Sequence, residues 1–419
     1  MTYGLIGSKL SHSFSKQIHE RLADYTYELI PLQEQEFQRF MEERKFQAIN
    51  VTIPYKQAVI SYLDKIDDHA KAIGAVNTIV HRDQKLIGYN TDYAGFAYML
   101  QKHAIDLSQK KILIIGNGGA CCAVKAVAKN KQAKKIIIVN KTNKKGAISY
   151  EECYEKHTDI EVIINTSPVG MSPHITSCPI DLSKFPLCKV VIDVIYNPLH
   201  TALCQQAKKQ NMQYINGMEM LIAQAKYAVE IFLNKTIDDA IIDTLFNEIL
   251  HSKLNLVFIG MPGAGKSTIG KALSHMLQMD FIDTDQMIEN KTHMTIAEIF
   301  STYGEAYFRE LEKEVYLEVS YMHHTIIATG GGAVKYEENM DVLSSNSIIL
   351  HLDRDIQHIQ LDNTQRPLAQ DKEMLRMLFH ERDALYRKFA DYTFQNNGSI
   401  DQTLQQIINT LPDMFHQFR

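Results

Sequence analysis

The sequence predicts an α/β protein built from parallel sheets, and two observations lead to this prediction. Short β-rich runs alternate with helical stretches from one end of the chain to the other, which is the pattern of strands joined by helical crossovers. In addition, two apolar strands are each followed by a glycine cluster and a helical pattern. These segments are KILIIGNGGACCAVKAVAK, which begins at Lys111, and NLVFIGMPGAGKSTIGKAL, which begins at Asn255. Their glycine spacings differ, so they are not a repeat.

The composition sets limits on the class of protein. The chain has 419 residues, of which 45% are hydrophobic and 22% are charged, and this length suggests roughly two to four folding units. Lys and Arg total 44 against 49 Asp and Glu, which argues against the basic face of a nucleic-acid-binding protein. No disulfide framework, metal-ligand spacing, signal peptide or membrane-length apolar run is found. We therefore expect a cytoplasmic protein that binds neither nucleic acid nor membrane.

The first glycine turn has the features of a dinucleotide site. Gly116, Gly118 and Gly119 follow a strand and open a helix, where backbone N–H groups can bind pyrophosphate. The end of the next strand, where a site for NAD usually has an acidic residue, instead carries polar and basic side chains: Asn140, Lys141, Thr142, Lys144 and Lys145. These cations favour NADP. The alternative is a solvated lysine-rich face, since residues 110–145 are rich in lysine throughout.

Polar clusters stand at strand ends before this turn. They are Ser13 and Ser15; Asn50, Thr52 and Lys56; Asn77 and Thr78; and Asn90 and Asp92. Taken singly, each has a structural explanation, because such residues cap helices and form turns.

Together, these clusters resemble shikimate dehydrogenase across the whole first half of the chain. NVTIPYK, GAVNT and NTDYAG are followed, in the family's order, by NTSPVGM at Asn165, DVIYNPLHT at Asp193 and NGMEMLIAQA at Asn216. The resemblance implies that Lys56 and Asp92 form a catalytic pair that relays a proton at the hydroxyl-bearing carbon. It implies substrate contacts from Ser13, Ser15, Thr52, Asn77, Tyr196 and Gln224, with Tyr196 near the nicotinamide. It implies cofactor contacts from Gly116, Gly118, Gly119, Asn140, Lys141, Thr142, Lys145 and Gly217.

Three positions depart from the family's pattern. Asn117 stands where Ala is usual, Lys141 where Arg is usual, and Lys16 where a proline often follows the second serine. Lysine keeps the charge of arginine but not its planar fork. We therefore expect NADP binding with weaker discrimination against NAD.

The second glycine turn fits the phosphate-binding P-loop. GMPGAGKST, at residues 260–268, matches G-x-x-x-x-G-K-[ST] between a strand and a helix. In such a loop the backbone cradles phosphates, Lys266 meets their oxygens and Ser267 binds magnesium. The predicted ATP contacts are Gly263, Ala264, Gly265, Lys266, Ser267 and Thr268. Downstream lie further polar candidates: Asp283 and Asp285 in DTD, Arg309, the turn of Gly330, Gly331 and Gly332, Arg366 and Arg387. A lone arginine more often forms a surface ion pair.

This second set resembles shikimate kinase over essentially all of the second half. FIDTD, EIFSTYGEAYFRELE, ATGGGAV, QRPL and ALYRKFAD occur in the family's order. The resemblance implies that Asp285 orients and deprotonates the shikimate hydroxyl, that Arg309, Arg387 and the glycine turn bind the acid, and that Asp283 supports Mg²⁺. It places Arg366 on a lid over the phosphates. Ile359 stands where an arginine usually packs on adenine, so another side chain such as His358 substitutes or ATP binds more weakly.

These observations give the following domain prediction. Residues 1–250 form a two-lobed dehydrogenase, with a substrate lobe at 1–100, an NADP-binding Rossmann lobe at 101–235 and a C-terminal helix and linker at 236–250. Residues 251–419 form a P-loop kinase with a parallel sheet.

The predicted function is a bifunctional enzyme that uses NADP(H), ATP and Mg²⁺. It would reduce 3-dehydroshikimate to shikimate and then phosphorylate shikimate to shikimate 3-phosphate. Two alternatives stay open. In one, a half of the chain is a regulatory ligand-binding module, although Lys56, Asp92, Lys266 and Asp285 are all present. In the other, the dehydrogenase acts on quinate and is linked to a different small-molecule kinase. The sequence leaves the oligomeric state open.

Overall fold

The computed structural model describes residues 2–8, 10, 14–142, 146–359 and 372–416. It divides the chain into two compact units. The first unit comprises Met1–Met171 and Ser177–Phe246, and the second comprises Ser172–Thr176 and Asn247–Arg419. A continuous helix, Ala240–Lys253, crosses the division at residues 246 and 247. The domain boundary at residues 250 and 251 stays a prediction.

A six-stranded sheet forms one part of the first unit. Its strands are β1 (Thr2–Gly7), β2 (Tyr27–Pro31), β3 (Phe46–Val51), β4 (Lys65–Ile66), β5 (Thr78–Arg82) and β6 (Lys85–Tyr89), in the spatial order β2-β1-β3-β5-β6-β4. Its helices are α1 (Ser15–Leu22), α2 (Glu34–Glu43), α3 (Asp68–Ile73) and α4 (Thr91–Lys102), with a 3₁₀ turn at Ala58–Tyr62.

This first sheet is mixed. β1 pairs in parallel with β2 and β3, whereas β5 is antiparallel to both β3 and β6. The antiparallel pairing of β5 with β6 has a local cause, because Asp83 and Gln84, with φ of 50° and 60°, form a two-residue hairpin turn. The sheet therefore differs from the parallel arrangement that the alternation of strands and helices predicts.

The second sheet of this unit has five parallel strands in the order β11-β10-β9-β7-β8. They are β7 (Lys111–Ile115), β8 (Lys135–Val139), β9 (Val162–Asn165), β10 (Val190–Asp193) and β11 (Gln213–Ile215). The helices are α5 (Gly119–Asn130), α6 (Tyr150–Lys156), α7 (Ala202–Lys209) and α8 (Met218–Leu233), with a 3₁₀ turn at Leu182–Lys184, and α9 (Ala240–Lys253) begins in this unit. The strand order reverses between β7 and β9, so a crevice for a dinucleotide is expected beyond their carboxyl ends.

Close packing of α4 on α8 brings distant parts of the sequence together. A Cβ atom at Gly95 would lie 2.7 Å from the carbonyl oxygen of Met220 and 2.9 Å from Cβ of Gln224. Glycine is therefore needed at position 95 for the two helices to approach this closely. As a result, Gln224 on α8 reaches the polar residues at the start of α4.

The second unit contains a parallel sheet in the order β13-β14-β12-β15-β16, as predicted for its fold class. Its strands are β12 (Asn255–Ile259), β13 (Asp280–Asp283), β14 (Thr325–Ala328), β15 (Ser347–Asp353) and β16 (Tyr392–Gln395). Its helices are α10 (Lys266–Leu277), α11 (Thr284–Thr292), α12 (Ile296–Val319), α13 (Glu337–Leu343), α14 (Lys372–Phe389) and α15 (Ile400–His416), with 3₁₀ turns at Ala333–Lys335 and Ile356–His358. β12 and β14 are buried along their whole length, as expected of strands covered on both faces. Among the described helices of the chain, none combines the length and apolar character needed to cross a bilayer.

Candidate active sites

The first site is built around an ion pair between Lys56 and Asp92. Lys56 lies in the loop after β3, and Asp92 lies in the first turn of α4, where the helix dipole favours a carboxylate. Lys56 Nζ lies 2.6 Å from Asp92 Oδ2, and the two side chains are 15% and 8% exposed. An ammonium group held by a nearly buried carboxylate can deliver a proton to a substrate oxygen and take it back.

Asn77 fixes the second oxygen of this carboxylate. Its Nδ2 donates to Asp92 Oδ1 at 2.9 Å, while its Oδ1 accepts from the backbone N–H of Thr91 at 2.7 Å. Asn77 Nδ2 also lies 3.5 Å from Gln224 Oε1. The structure thus brings together four residues predicted for this site: Lys56, Asp92, Asn77 and Gln224.

The other predicted substrate residues of this unit include one at the carboxyl end of a strand and one at the amino end of a helix. Thr52 directly follows β3 and is half-buried. Ser15 is buried and begins α1. The preceding residue, Phe14, packs its ring on that of Tyr196 with the centroids 5.4 Å apart, so Tyr196 lies beside the start of α1. Ser13 lies outside the described residues.

The glycine turn after β7 meets the catalytic lysine. Gly116 has a φ of 98°, which requires glycine in practice. A Cβ atom at Gly119, the first residue of α5, would lie 2.8 Å from Lys56 Cδ. At Gly118, by contrast, a Cβ atom would meet only open space. The helix start therefore contacts the lysine on one side and leaves room for a ligand on the other.

The remaining predicted cofactor residues lie at two further strand ends. After β8, Asn140 Nδ2 donates to Thr142 Oγ1 at 3.3 Å, and Lys141 and Thr142 are exposed. Lys144 and Lys145 lie outside the described residues. Gly217 caps α8, and its Cα is so close to the Val194 carbonyl that no side chain fits there.

The second site starts at the phosphate loop. Gly263 and Gly265 have φ of 79° and 94°, so backbone N–H groups can line an anion-binding concavity. Lys266 is 8% exposed. Its Nζ donates to the carbonyl oxygens of Gly260 and Met261 at 2.9 and 3.0 Å, which places the ammonium group over the loop. Among the other predicted ATP contacts, Ala264 is buried within the loop, while Ser267 and Thr268 are exposed in the first turn of α10.

Ser267 and Asp283 form the predicted magnesium position. Ser267 Oγ donates to Asp283 Oδ2 at 2.5 Å. The other oxygen of Asp283 caps α11 by accepting from the backbone N–H of Asp285 at 3.0 Å. The described residues contain no group of three or more His, Cys, Asp or Glu side chains suited to a metal. One hydroxyl and one carboxylate are oxygen ligands of the kind that Mg²⁺ takes from proteins, so Ser267 and Asp283 would hold the ion beside the phosphates.

Asp285, the predicted proton acceptor of this site, is a buried carboxylate beside the glycine turn. Its Oδ1 is buried and has no hydrogen-bond partner among the described residues. A Cβ atom at Gly330 would lie 2.7 Å from this oxygen, so the glycine turn borders it directly. Burial, together with the carboxylates of Asp283 and Glu312, raises the pKa of Asp285 to about 7. The carboxylate can therefore take up a proton near neutral pH.

Arg309 lies against the same glycine turn. Its Nη2 donates to Glu305 at 2.7 Å, its Nη1 donates to Glu312, and it is 8% exposed. Burial opposes the charge, but the two carboxylates outweigh it and raise the pKa of Arg309. Gly332 leaves no room for a Cβ atom beside the guanidinium. The arginine is therefore charged and fixed in place.

The structure does not bring Arg387 to the glycine turn. Arg387 is 51% exposed and pairs with Asp353 at 2.9 Å. Arg382 is 2% exposed, and its Nη1 donates to the carbonyl oxygen of Gly331 at 3.1 Å. Tyr386 donates to the same oxygen at 2.5 Å. Residues 382 and 386 are four positions apart and share one face of α14. Arg387 is five positions from Arg382, which corresponds to a rotation of about 140° around the helix, so it points away from Arg382.

Arg354, which was not among the predicted residues, directly follows β15 and lies near the phosphate loop. Its Nη1 lies 3.8 Å from the position of a Cβ atom at Gly265, and its Nε donates to the carbonyl oxygen of His358 at 3.2 Å. Ile359 is buried. Because β12, which leads into the phosphate loop, pairs with β15, a search of neighbouring strand ends could have found Arg354. Arg366 lies outside the described residues.

Both units of the chain match known protein families. A family model described as the shikimate dehydrogenase substrate binding domain matches residues 5–79, and one described as shikimate kinase matches residues 262–412. The chain is 38% identical over 260 residues to shikimate dehydrogenase (NADP(+)) of Clostridium beijerinckii, with 58% of this chain and 96% of that protein covered. Shikimate dehydrogenase 1 from Peptoclostridium difficile is a structural match at 36% identity and a TM-score of 0.55, covering 59% of this chain and 98% of that one. Shikimate 5-dehydrogenase from Thermus thermophilus, solved in complex with NADP(H) and shikimate, matches at 25% identity and a TM-score of 0.54, covering 59% and 99%.

Proposed function

Because the chain belongs to the shikimate dehydrogenase family over its first part and carries a shikimate kinase domain after it, we propose that it catalyses two consecutive reactions on one cyclic acid. The first is the reduction of 3-dehydroshikimate to shikimate with NADPH. The second is the phosphorylation of shikimate to shikimate 3-phosphate with ATP and Mg²⁺. The main support is that each unit holds a proton-exchanging group beside a nucleotide turn. Lys56 contacts the helix start at Gly119, and Asp285 follows the carboxylate that binds Ser267.

In the first reaction, the bound NADPH supplies the hydride to the ketone carbon. Lys56 Nζ gives a proton to the ketone oxygen and takes it back in the reverse direction. Asp92 holds the ammonium group in place, and Asn77 holds Asp92. Ser13, Ser15, Thr52, Asn77, Tyr196 and Gln224 bind the carboxylate and hydroxyls of the acid, because a polar substrate needs fixed partners for each group that loses water.

NADP is held by three strand ends in this proposal. The open space at Gly118 and the N-terminus of α5 suit the pyrophosphate, with Gly116, Gly119 and Gly217 shaping the turn. The exposed Lys141, with Asn140, Thr142 and Lys145, takes the 2′-phosphate. A single lysine is a point charge rather than a planar fork, so we expect preference for NADP with measurable activity on NAD.

In the second reaction, bound ATP supplies the phosphoryl group. Gly263, Ala264, Gly265, Lys266, Ser267 and Thr268 bind the phosphates, and Ser267 and Asp283 hold Mg²⁺. Asp285 accepts the proton of the attacking hydroxyl. Arg309, Arg382 and the turn of Gly330, Gly331 and Gly332 bind the acid, while Arg354 and Arg366 contact the nucleotide. Two buried guanidinium groups suit a carboxylate substrate, since charge-assisted hydrogen bonds are the strong ones.

The test uses one preparation of the purified chain in two assays. Shikimate with NADP⁺ should give NADPH, and shikimate with ATP and Mg²⁺ should give ADP. If no NADPH forms, the first assignment is rejected, and if no ADP forms, the second is rejected. A comparison of kcat/KM for shikimate and quinate settles the substrate of the dehydrogenase. A kinase rate that is the same with and without shikimate would reject this acid as the acceptor.

A further inference from the structure

A chain of buried hydrogen bonds leads from β2 to the carboxylate of the first site. Tyr27 donates its hydroxyl hydrogen to Asn50 Oδ1 at 2.7 Å. Asn50 Nδ2 donates to Thr78 Oγ1 at 3.1 Å and to the carbonyl oxygen of Asn77 at 3.2 Å. Thr78 Oγ1 donates to Asn77 Oδ1 at 3.0 Å, and Asn77 Nδ2 donates to Asp92 Oδ1 at 2.9 Å. The series joins the outer strand β2 to the base of α4.

Fixed donors set the direction of this chain. The backbone N–H of Thr91 donates to Asn77 Oδ1 and cannot accept, so the Nδ2 of Asn77 must point towards Asp92. In the same way, Asn50 Nδ2 faces two oxygen atoms, so its Oδ1 must face the hydroxyl of Tyr27. Asp92 therefore receives a donor on Oδ1, which leaves Oδ2 for the Lys56 ammonium.

Water has little access to these groups. Tyr27 and Thr78 are fully buried, and Asn50 and Asn77 are 5% and 3% exposed. The ring of His19 stacks on Tyr27 with centroids 4.0 Å apart. Burial raises the pKa of Tyr27 well above its usual value, so the phenol stays protonated and stays a donor. Without this hydroxyl, the buried Asn50 Oδ1 would lose its donor, and a buried acceptor without a partner is strongly unfavourable.

We infer that Tyr27 is a positioning residue of the dehydrogenase site. Its hydroxyl orients the amide of Asn50, which with Thr78 orients the amide of Asn77, and Asn77 holds Asp92 where it fixes the Lys56 ammonium. The inference rests on the proposed dehydrogenase function and adds to it a residue that reaches the reacting groups only through this chain.

The main variant is Tyr27→Phe, which removes the hydroxyl and keeps the ring. We expect kcat for shikimate oxidation to fall about tenfold, because small displacements of a catalytic pair have large effects on rate. KM for NADP⁺ should stay within about twofold, since the glycine turn is untouched, and KM for shikimate should change less than about threefold. A loss of folded protein would instead lower the amplitude of thermal unfolding.

Tyr25→Phe is the matched control. The Tyr25 hydroxyl forms a hydrogen bond with His19 Nδ1 at 2.8 Å, and the Tyr25 ring stacks on Tyr3. The substitution therefore removes a hydroxyl from the same aromatic cluster but none from the hydrogen-bond chain. We expect its kcat to stay within about twofold of wild type. Equal losses in Tyr25→Phe and Tyr27→Phe would overturn the inference, as would a Tyr27→Phe enzyme with the kcat of wild type.

A second pair of variants tests the middle of the hydrogen-bond chain, in case Tyr27→Phe does not fold. Thr78→Val removes the hydroxyl at nearly constant shape and should lower kcat about tenfold, while Thr78→Ser should restore it to within about threefold. Equal kcat values for Thr78→Val and Thr78→Ser would contradict the proposed role of the hydrogen-bond chain. If the wild-type chain itself fails to oxidise shikimate, the proposed function is wrong and the inference falls with it. Wild-type activity with unaffected variants would reject the inference alone.

Discussion

The two sites differ in how fully their polar atoms are paired. In the first, both oxygens of Asp92 accept hydrogen bonds and the amide of Asn77 is fixed on either side. In the second, Asp285 Oδ1 and Arg382 Nε are buried with no hydrogen-bond partner among the described residues. Buried polar atoms are nearly always paired in folded proteins. The first site is therefore organised before its substrate binds, whereas the second is completed by its ligands.

The difference indicates what each site should be sensitive to. A saturated network transmits small displacements, so the first site should respond to changes that move Lys56 or Asp92. A site with a desolvated carboxylate should respond to pH and to loss of charge, because burial and nearby carboxylates control whether Asp285 is ionised.

The largest effects are expected from removing the two lysines. Lys56→Ala should lower kcat of the dehydrogenase about 10³-fold or more, and Lys266→Ala should do the same to the kinase, because each removes the group that acts on the reacting atoms. Each variant is the control for the other, since the untouched activity should stay within about twofold. If one substitution abolished both activities in a folded chain, the two sites would not be independent.

The second prediction concerns the acceptor carboxylate of the kinase. Asp285→Asn should lower kcat about 10²- to 10³-fold, because an amide cannot take the hydroxyl proton. In the wild-type chain, kcat/KM for shikimate should rise with pH and level off above about 7, since only the ionised Asp285 accepts a proton. A profile that stays flat between pH 5 and pH 8 would remove Asp285 from this role.

The same substitution should change stability with a defined sign. The pKa of Asp285 is raised from 3.8 to about 7 by burial, so the folded state loses stability as pH rises through this window, and the loss is complete above it. Asp285→Asn should therefore increase the free energy of unfolding at pH 8, by about 4 kcal/mol, and by little near pH 4. Asp280→Asn, at an exposed position at the start of β13, is the control and should show no such gain. Urea unfolding at both pH values measures it, and an equal gain at both would contradict the burial argument.

A smaller effect distinguishes the two arginines of α14. Arg382→Ala should raise the kinase KM for shikimate about 30-fold, because a buried charge-assisted hydrogen bond is lost. Arg387→Ala should raise it less than about threefold, since exposed ion pairs contribute little. The dehydrogenase KM for shikimate should stay unchanged in both. The opposite ranking would restore Arg387 as the substrate residue.

The smallest effect compares two neighbouring glycines. Gly119→Ala places a Cβ atom 2.8 Å from Lys56 Cδ and should lower kcat of the dehydrogenase about tenfold by displacing the lysine. Gly118→Ala enters open space and should instead raise KM for NADP⁺, with a smaller change in kcat. Steady-state kinetics on both variants separates the two. Equal effects on kcat would show that the helix start acts as a whole rather than through contact with Lys56.

Features set by local sequence could be predicted, and they include both nucleotide turns and the second parallel sheet. The roles predicted for Asp283 and Asp285 came from the resemblance to shikimate kinase, and that of Ser267 from the P-loop motif; in the structure Ser267 Oγ lies 2.5 Å from Asp283 Oδ2. The pairing of Lys56 with Asp92 came from the family resemblance and is present in the structure at 2.6 Å.

Features that depend on which faces meet could not be read from the sequence. The choice between Arg382 and Arg387 depends on the rotation of α14, and the approach of Gln224 depends on the missing side chain of Gly95. Tyr27 is distant from Asp92 in the sequence, and its role in the hydrogen-bond chain depends on side-chain orientations across β2, β3 and β5. No periodicity or motif encodes such contacts.

The most direct test of two sites that act on one acid is a coupled assay on the purified wild-type chain. It receives 3-dehydroshikimate, NADPH, ATP and Mg²⁺, and the loss of NADPH and the formation of ADP are followed together. We expect the two amounts to become equal, with shikimate 3-phosphate as the product. NADPH consumption that leaves shikimate to accumulate without ADP, or ADP formation that needs no NADPH, would contradict the account.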